Sequence, residues 1–199
     1  MGKPANAGAP PEHHQMPSTN SPVSKRGTAF KPQHPLDWLA VFIATGCGAG
    51  LIPLAPGTFG SVVGLGIAYL LISNLRYEIA GLQNALLLTS LLLTWLGIWA
   101  GTRAETIFDR KDASQIVIDE VAGQVIAFAL IAPYLPRLGG NLKWALIVGF
   151  ALFRLFDIFK PFPINRLQTL TGGVGVMLDD VIAGVYAAAG LSLLLWLFT

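Results

Sequence analysis

The feature that most constrains this chain is a series of apolar runs that follow one another, separated by short polar clusters, from residue 37 onward. The runs cover residues 60–75, 84–101, 121–136, 142–156 and 181–198. Each is about 15–18 residues long, near the short limit for a helix that crosses a bilayer, for which about 20 residues are typical. The pattern therefore predicts an all-α, polytopic membrane protein with about five short spans whose apolar faces meet lipid.

Composition excludes several other classes of protein. Hydrophobic residues make up 53% of the 199 residues and charged residues only 12%, with a mean hydropathy of +0.60. Soluble domains contain about 25% charged residues, so this chain has too few charges to cover a water-exposed surface. A net charge of +2 is too small to indicate nucleic-acid binding, and we predict no nucleic-acid partner. The single cysteine, Cys47, excludes an internal disulfide, and we interpret it as a packing residue.

The N-terminal part of the chain differs from the rest. Residues 1–36 contain seven of the 13 prolines, which predicts a disordered arm, either a solvated tail or a weak tether to anionic lipid. Residues 37–199 form one predicted helical domain. Within it, glycines and prolines interrupt the apolar stretch 38–54. We interpret that stretch as a bent or half-inserted segment, and whether it spans the membrane stays open.

The lysines and arginines predict an orientation in the membrane. With five spans and a cytoplasmic N terminus, ten of the 13 fall on the cytoplasmic side, and Arg76, Arg137 and Lys143 fall on the other. This bias follows the positive-inside rule. The same arrangement brings most of the polar residues to one face, in the loops 46–59, 102–120 and 154–180.

Carboxylates border or enter the apolar runs at Asp119, Glu120, Asp157, Asp179 and Asp180. An ionised carboxylate in such surroundings is costly unless it is paired or bound to metal. The adjacent acids repel each other unless a cation lies between them. An oxygen-rich cluster without histidine or thiolate favours a hard ion, Mg²⁺ above all.

Basic residues offer an alternative partner for these acids. Arg154 and Lys160 each lie three residues from Asp157, so all three could share one helical face as structural ion pairs. Pro161 should end that helix at Lys160. The same cations, with Arg166, could instead neutralise the oxygens of a phosphate group.

A turn and a glycine-rich loop add a weaker signal. In LAPGTFGS (54–61) the Pro-Gly step predicts a turn, with Thr58 as N-cap of the next helix and Ser61 in its first turn. The backbone N–H groups there could bind an anion, although a plain turn and cap would look the same. GGVGVM (172–177) is a similar glycine loop that leads into the second acidic pair.

Other chemistries are excluded by what the chain lacks. All three histidines lie in the first 34 residues, and neither a C-x5-R loop nor a DxDx[TV] motif is present. Carboxylate, metal and lysine chemistry at a membrane surface remains. Carboxylates and broken helices would also suit a small transporter or ion pathway, and a structural membrane protein is a third possibility.

Four segments together resemble the phosphatidylglycerophosphatase A family. They are GAGLIPLAPGTFGS (48–61), IVIDEVAGQ (116–124), FRLFDIFKPFPI (153–164) and GGVGVMLDDVIAGV (172–185). Their order and spacing fit, and the resemblance covers about residues 38–199. It implies a Mg²⁺-dependent lipid phosphatase that converts phosphatidylglycerophosphate to phosphatidylglycerol and inorganic phosphate, the last step of phosphatidylglycerol synthesis. It also implies a multi-pass protein of the bacterial inner membrane with its active site facing the cytoplasm, and it leaves the oligomeric state open.

With this resemblance, roles can be assigned as hypotheses. One or two Mg²⁺ ions would be held by the four paired carboxylates Asp119, Glu120, Asp179 and Asp180. Catalysis would rest on Asp119, Asp157 and Lys160, with Asp157 either a further ligand or the base that activates water. The phosphate would also be bound by Gly57, Thr58, Ser61 and Arg154. Direct attack by water and a covalent aspartyl-phosphate both stay open.

Overall fold

The fold is a bundle of helices in a computed structural model that describes residues 2, 32–75, 79–138, 141–167 and 173–198. The helices are α1 (Pro35–Ala44), α2 (Pro56–Asn74), α3 (Ile79–Phe108), α4 (Ile118–Ile131), α5 (Leu142–Phe159), α6 (Ile164–Leu167) and α7 (Gly173–Phe198). Two 3-10 segments, Ala49–Leu51 and Ala132–Leu138, complete the elements. The described part of the chain contains no strand, which confirms the predicted all-α class. Residues 3–31 of the predicted arm lie outside the described residues.

In the described part of the chain, four helices are long and apolar enough to cross a membrane, as judged by length and composition. They are Pro56–Asn74, Ile79–Phe108, Ile118–Leu135 and Gly173–Leu197. They cover, to within one residue at the end, four of the five predicted runs. The fifth run, 142–156, lies in α5, which is also 18 residues long but carries Lys143, Arg154 and Asp157.

The segment 38–54 is bent, as its glycines predict. Helix α1 ends at Ala44, and the next turn contains three residues with positive φ, Gly46 at 55°, Cys47 at 58° and Gly48 at 93°. The left-handed conformation suits glycine but is unusual for cysteine. This turn leaves the Cys47 side chain exposed, so the expectation that it packs in the core is wrong.

Helix α4 is the centre of the bundle and contacts α2, α3, α5 and α7. Most of its residues are buried, including Val125, Phe128 and Ile131. Glycines allow the neighbouring helices to come close. A Cβ atom added at Gly123 of α4 would lie 2.5 Å from the Asp180 carbonyl oxygen, and one at Gly184 of α7 would lie 2.3 Å from the Gly123 carbonyl oxygen. Small residues at such crossings let two backbones touch inside a membrane bundle.

The direction of the helices brings their polar ends together. Helices α2, α4 and α7 begin, and α5 ends, around one cavity at the same end of the bundle. The predicted convergence of the polar segments on one face is therefore confirmed. The predicted glycine loop is wrong, however, because residues 173–177 form the start of α7, and Asp179 and Asp180 lie within that helix. Helix α5 ends at Phe159, with Lys160 as its C-cap just before Pro161, so the predicted end of that helix at Lys160 is confirmed as well.

Candidate active site

A cavity of about 390 Å³ opens where these helix ends meet. Most of the predicted site residues line it: Gly57, Asp119, Glu120, Arg154, Asp157, Lys160, Asp179 and Asp180. Thr58 and Ser61 are not among the lining residues. Side chains that lie far apart in the sequence are thus brought to one small volume in which acids outnumber bases.

The close crossing of α4 and α7 accounts for the meeting of the two acidic pairs. Asp119 and Glu120 occupy the first turn of α4, just before the glycine at which α7 comes into contact. Three carboxylates, those of Asp119, Glu120 and Asp180, each offer an oxygen within 4.8 Å of the others. This spacing allows three carboxylates to bind one ion.

The hydrogen bonding of these carboxylates also fits a cation. Four buried carboxylate oxygens have no hydrogen-bond partner within the described residues: Asp119 Oδ1, Glu120 Oε2, Asp179 Oδ1 and Asp180 Oδ2. Buried polar atoms in native proteins are nearly always satisfied, so each exception calls for an explanation. A hard cation takes such oxygens as ligands, and three of the four carboxylates lie close enough together to share one ion. The residues present therefore fit a divalent metal ion.

Lys160 is held over the acids by an unusual backbone conformation. It caps α5 with a φ of 42°, in the left-handed region. Its Nζ donates a hydrogen bond to Asp179 Oδ2 at 2.5 Å and lies 3.9 Å from Asp157 Oδ1. Burial alone would lower the pKa of this ammonium, but the hydrogen bond to Asp179 and the charges of the surrounding carboxylates outweigh it and raise the pKa. Lys160 therefore carries a positive charge at neutral pH.

Arg154 forms the second cationic contact in the cavity. It makes an ion pair with Asp157, lies 4.0 Å from Glu120 Oε1, and its Nη1 donates a hydrogen bond to Ser61 Oγ at 3.4 Å. Ion pairs of the kind expected from the sequence spacing are thus present. Arg154 and Lys160 do not account for every acid, because no basic side chain in the described ranges pairs with Asp119 or Asp180.

The turn before α2 differs from the prediction. The helix begins at Pro56, its N-cap is Ala55 with a φ of 51°, and no side chain caps it. Thr58 as N-cap is therefore wrong, because Ala55 takes the left-handed conformation and proline takes the first helical position. The Thr58 N–H donates to the Ala55 carbonyl at 2.9 Å. Ser61 consequently lies beyond the first turn, where its hydroxyl donates to the Gly57 carbonyl at 2.9 Å.

Gly57 and Ser61, which the sequence predicts to bind the phosphate, have contacts within the protein that also explain their residue types. A Cβ atom added at Gly57 would lie 2.2 Å from Glu120 Oε1, so glycine is needed for this carboxylate to reach the start of α2. Ser61 is fully buried and does not line the cavity, but it is hydrogen-bonded to two residues that do, Gly57 and Arg154. Arg166, the remaining predicted cation, is exposed and lies over the Phe162 ring at 5.0 Å.

Three polar residues near the acids were not predicted as site residues. Asp112 and Ser114 line the cavity, and the Asp112 backbone N–H donates to Glu105 Oε1 at 2.7 Å. Gln124 is fully buried, and neither its amide nitrogen nor its amide oxygen has a partner within the described residues. Its position four residues after Glu120, on the same helical face, is the sequence signal that could have identified it.

Comparison with known proteins gives a consistent result. The model of a family described as phosphatidylglycerophosphatase A matches residues 42–195. A Haemophilus influenzae protein named phosphatidylglycerophosphatase A is 38% identical over 170 residues, which cover 84% of this chain and 91% of that protein. An Escherichia coli protein of the same name is 30% identical over 147 residues, which cover 73% and 77%.

A third relative carries a different name. A Bacteroides thetaiotaomicron protein, named provisionally as a phosphatidylinositol-3-phosphatase, is 36% identical over 164 residues, which cover 80% of this chain and 95% of that protein. No solved structure matches the chain.

Proposed function

Because the chain belongs to the phosphatidylglycerophosphatase A family, we propose that it hydrolyses the phosphate monoester of phosphatidylglycerophosphate, with Mg²⁺ as cofactor. The products are phosphatidylglycerol and inorganic phosphate. The chain is a phosphatase with membrane-spanning helices, and the lipid part of the substrate stays in the bilayer.

One observation carries this proposal. The described residues place two cations, Arg154 and Lys160, beside five buried or half-buried carboxylates in a cavity at one end of the apolar helices. Cations bind phosphate oxygens, and carboxylates recruit the metal that phosphoryl transfer needs. A position at the end of the bundle suits a substrate whose head lies in water and whose tails lie in lipid.

The metal would be held by Asp119, Glu120, Asp179 and Asp180. The unpartnered oxygens and the close approach of three of these side chains support this assignment. When bound, the ion supplies electrostatic stabilisation of the phosphate oxygens. Mg²⁺ is proposed because every protein ligand is a carboxylate oxygen.

The chain's own residues would perform the remaining steps. Lys160 and Arg154 bind the oxygens of the phosphate and stabilise the negative charge that increases on them in the transition state. Asp157 is held by both cations, next to the phosphate, where it can take a proton from the attacking water. The new P–O bond to water replaces the P–O bond to glycerol, and the leaving glycerol oxygen receives a proton. Asp119 would take part in catalysis as a metal ligand, which its unpartnered oxygen supports, and the backbone at Gly57 would border the phosphate.

The orientation is part of the proposal. The bias of lysines and arginines supports a cytoplasmic active site in a bacterial inner membrane. Phosphatase activity measured in right-side-out and inside-out membrane vesicles would test this, since a charged lipid headgroup does not cross the bilayer unaided.

The decisive experiment is phosphate release by purified protein in detergent, with Mg²⁺ and with EDTA. Mg²⁺-dependent release from phosphatidylglycerophosphate, lost in Asp119→Asn and Lys160→Ala but kept in Lys143→Ala, would support the function and its site. Phosphatidylinositol 3-phosphate serves as the second substrate because of the name of the Bacteroides relative. Absence of release from folded protein under any divalent metal would overturn the proposal, and uptake by sealed proteoliposomes would then test transport.

The same preparation tests the route of hydrolysis. Rapid acid quenching of turnover with ³²P-labelled substrate would trap a phosphorylated aspartate if the reaction were covalent. Direct attack by water predicts that no labelled protein accumulates.

A further inference from the structure

A second cavity, of about 530 Å³, lies beside the catalytic one. It is bounded by α1, by the turn that follows α1, and by the end of α3. Its lining is mostly apolar, with Trp38, Val41, Phe42, Leu51 and Phe108 among its residues, and Arg110 is its charged residue. The volume falls within the range of about 300–1,000 Å³ that is usual for small-molecule sites.

A single stretch of chain separates the two cavities. Asp112, Ser114 and Ile116 line the catalytic cavity, whereas Ala113 and Gln115 line the second one. Alternate residues of this segment thus line opposite cavities. A single segment of non-helical backbone separates the two cavities. A ligand in the catalytic cavity that crosses this segment would enter the second cavity.

We propose that the second cavity binds the first part of an acyl chain of the phospholipid substrate, and that Arg110 binds the phosphodiester that joins the headgroup to the diacylglycerol. The proposal rests on the proposed function and adds to it a subsite for the lipid. The substrate carries two phosphate groups separated by one glycerol. While the monoester is in the catalytic cavity, the diester needs a cation nearby and the chains need an apolar surface.

Charge and exposure support a lipid as the occupant. The other arginine at this end of α3, Arg103, is already paired with Asp37 at 2.7 Å, whereas Arg110 is exposed and makes no ion pair within the described residues. The apolar residues that line the cavity with Arg110 are partly exposed at the protein surface: Phe42 is 54% and Leu51 57% exposed. Exposed apolar surface of this kind marks a binding site or a membrane contact. In a chain with four membrane-spanning candidates, a lipid chain with an anionic head satisfies both features.

The first test is photo-cross-linking without turnover. The full-length protein in nanodiscs with EDTA is irradiated with phosphatidylglycerol that carries a diazirine on one acyl chain. Labelling is expected on residues 38–51 and 108–115, and excess unlabelled phosphatidylglycerophosphate should suppress it. Labelling of Leu88, which is 67% exposed on α3, should persist. Labelling of the cavity that is absent, or that the competitor does not change, would overturn the proposal.

The second test separates the phosphodiester from the chain. Arg110→Gln should weaken binding of the deacylated substrate, measured as its Ki against hydrolysis, by about tenfold or more, the effect of losing one hydrogen bond to a charged group. Leu51→Trp, which narrows the apolar part of the cavity, should leave that Ki unchanged. It should raise the KM for the full lipid by about tenfold, as expected when a hydrophobic pocket no longer fits its ligand.

Each variant has a matched control on the same segment. Lys111→Gln removes the neighbouring exposed cation, and Leu54→Trp changes a leucine that is 77% exposed; neither residue lines the cavity. Equal effects of Arg110→Gln and Lys111→Gln, or of Leu51→Trp and Leu54→Trp, would contradict the subsite. If the wild type hydrolyses neither phosphatidylglycerophosphate nor phosphatidylinositol 3-phosphate, but the competitor still suppresses the cross-links, the proposed function is wrong and the lipid site is supported. If hydrolysis is normal but the competitor does not suppress the cross-links, the lipid site is wrong and the proposed function is supported.

Discussion

Lys160 Nζ lies 2.5 Å from Asp179 Oδ2, so a single ammonium group joins the end of α5 to the first turns of α7. The same nitrogen lies 3.9 Å from Asp157 Oδ1. One cation is therefore shared between a proposed metal ligand and the proposed base. An incoming phosphate would compete with these carboxylates for the lysine, which couples substrate binding to the arrangement of the acids.

Replacing this lysine should abolish most of the activity. In Lys160→Met we expect kcat/KM for phosphatidylglycerophosphate to fall by about 10²–10³, the usual effect of removing one preorganised donor to the transition state. The measurement is phosphate release at saturating Mg²⁺. Lys143→Met, an exposed lysine at the opposite end of α5, is the control and should keep its activity. A variant at Lys160 that retains more than about a tenth of wild-type kcat/KM would contradict the role in charge stabilisation.

The local part of the site could be predicted from the sequence. The three-residue spacing of Arg154 and Asp157 defines one helical face and Pro161 its end, and the structure has both, although Lys160 reaches the site from a left-handed C-cap. Helical periodicity alone carries this information. The all-helical class likewise follows from the length of the apolar runs.

The rest of the site depends on tertiary contacts, which the spacing of residues along the sequence does not predict. The acids of α4 and α7 meet because Gly123 and Gly184 let two backbones touch, and no local rule relates these two segments. Thr58 was expected to cap α2, but Ala55 takes the left-handed conformation there, which non-glycine residues seldom adopt. The second cavity, too, forms only when α1 and the end of α3 come together.

Metal binding should be visible in thermal stability as well as in activity. A ligand that binds only the folded state stabilises it by about 2.7 kcal/mol at 100 times its Kd. We therefore expect Mg²⁺ to raise the melting temperature of the wild type in detergent, and to do so much less in Asp180→Asn. Without metal, Asp180→Asn should be at least as stable as the wild type, because one of several like charges is gone.

The matched control for this experiment is Asp109→Asn, an exposed acid that does not line the cavity. Its Mg²⁺-induced shift in melting temperature should equal that of the wild type. An unchanged shift in Asp180→Asn would show that this carboxylate is not a metal ligand.

The crossing of α4 and α7 offers a test of geometry that alters no polar group. A Cβ atom at Gly184 would lie 2.3 Å from the Gly123 carbonyl oxygen, so Gly184→Ala must push the two helices apart. Overpacking of this kind costs about 1–3 kcal/mol, and it should also weaken Mg²⁺ activation by separating the acidic pairs. Gly66→Ala on α2 is the control, since nothing lies within 4 Å of the added Cβ. That variant should gain about 0.5–1 kcal/mol from helix propensity. Equal melting temperatures and Mg²⁺ activation in the two variants would contradict the close crossing.

The start of α1 should make stability depend on pH. Hydrogen bonds from the Gln33 backbone N–H and from Arg103 hold the pKa of Asp37 below its usual value of 3.8. A lowered folded pKa contributes stability that is complete above pH 3.8 and is lost as the pH falls through the folded pKa. The melting temperature of the wild type should therefore exceed that of Asp37→Asn by a constant amount above about pH 5, and the difference should shrink in stronger acid. A difference that grows as the pH falls would contradict this sign.

Gln124 tests whether a buried polar residue is kept for function at the expense of stability. Its side chain is fully buried four residues after Glu120, and both amide atoms lack a partner within the described residues. Gln124→Met keeps the length of the side chain and removes the unsatisfied atoms, which cost about 1–3 kcal/mol each when left unpaired. We expect an equal or higher melting temperature, because the unpaired atoms are gone, together with a lower kcat/KM if the amide binds a ligand of the site one helical turn from Glu120. A clear loss of stability would instead show that ordered water satisfies the amide in the folded protein.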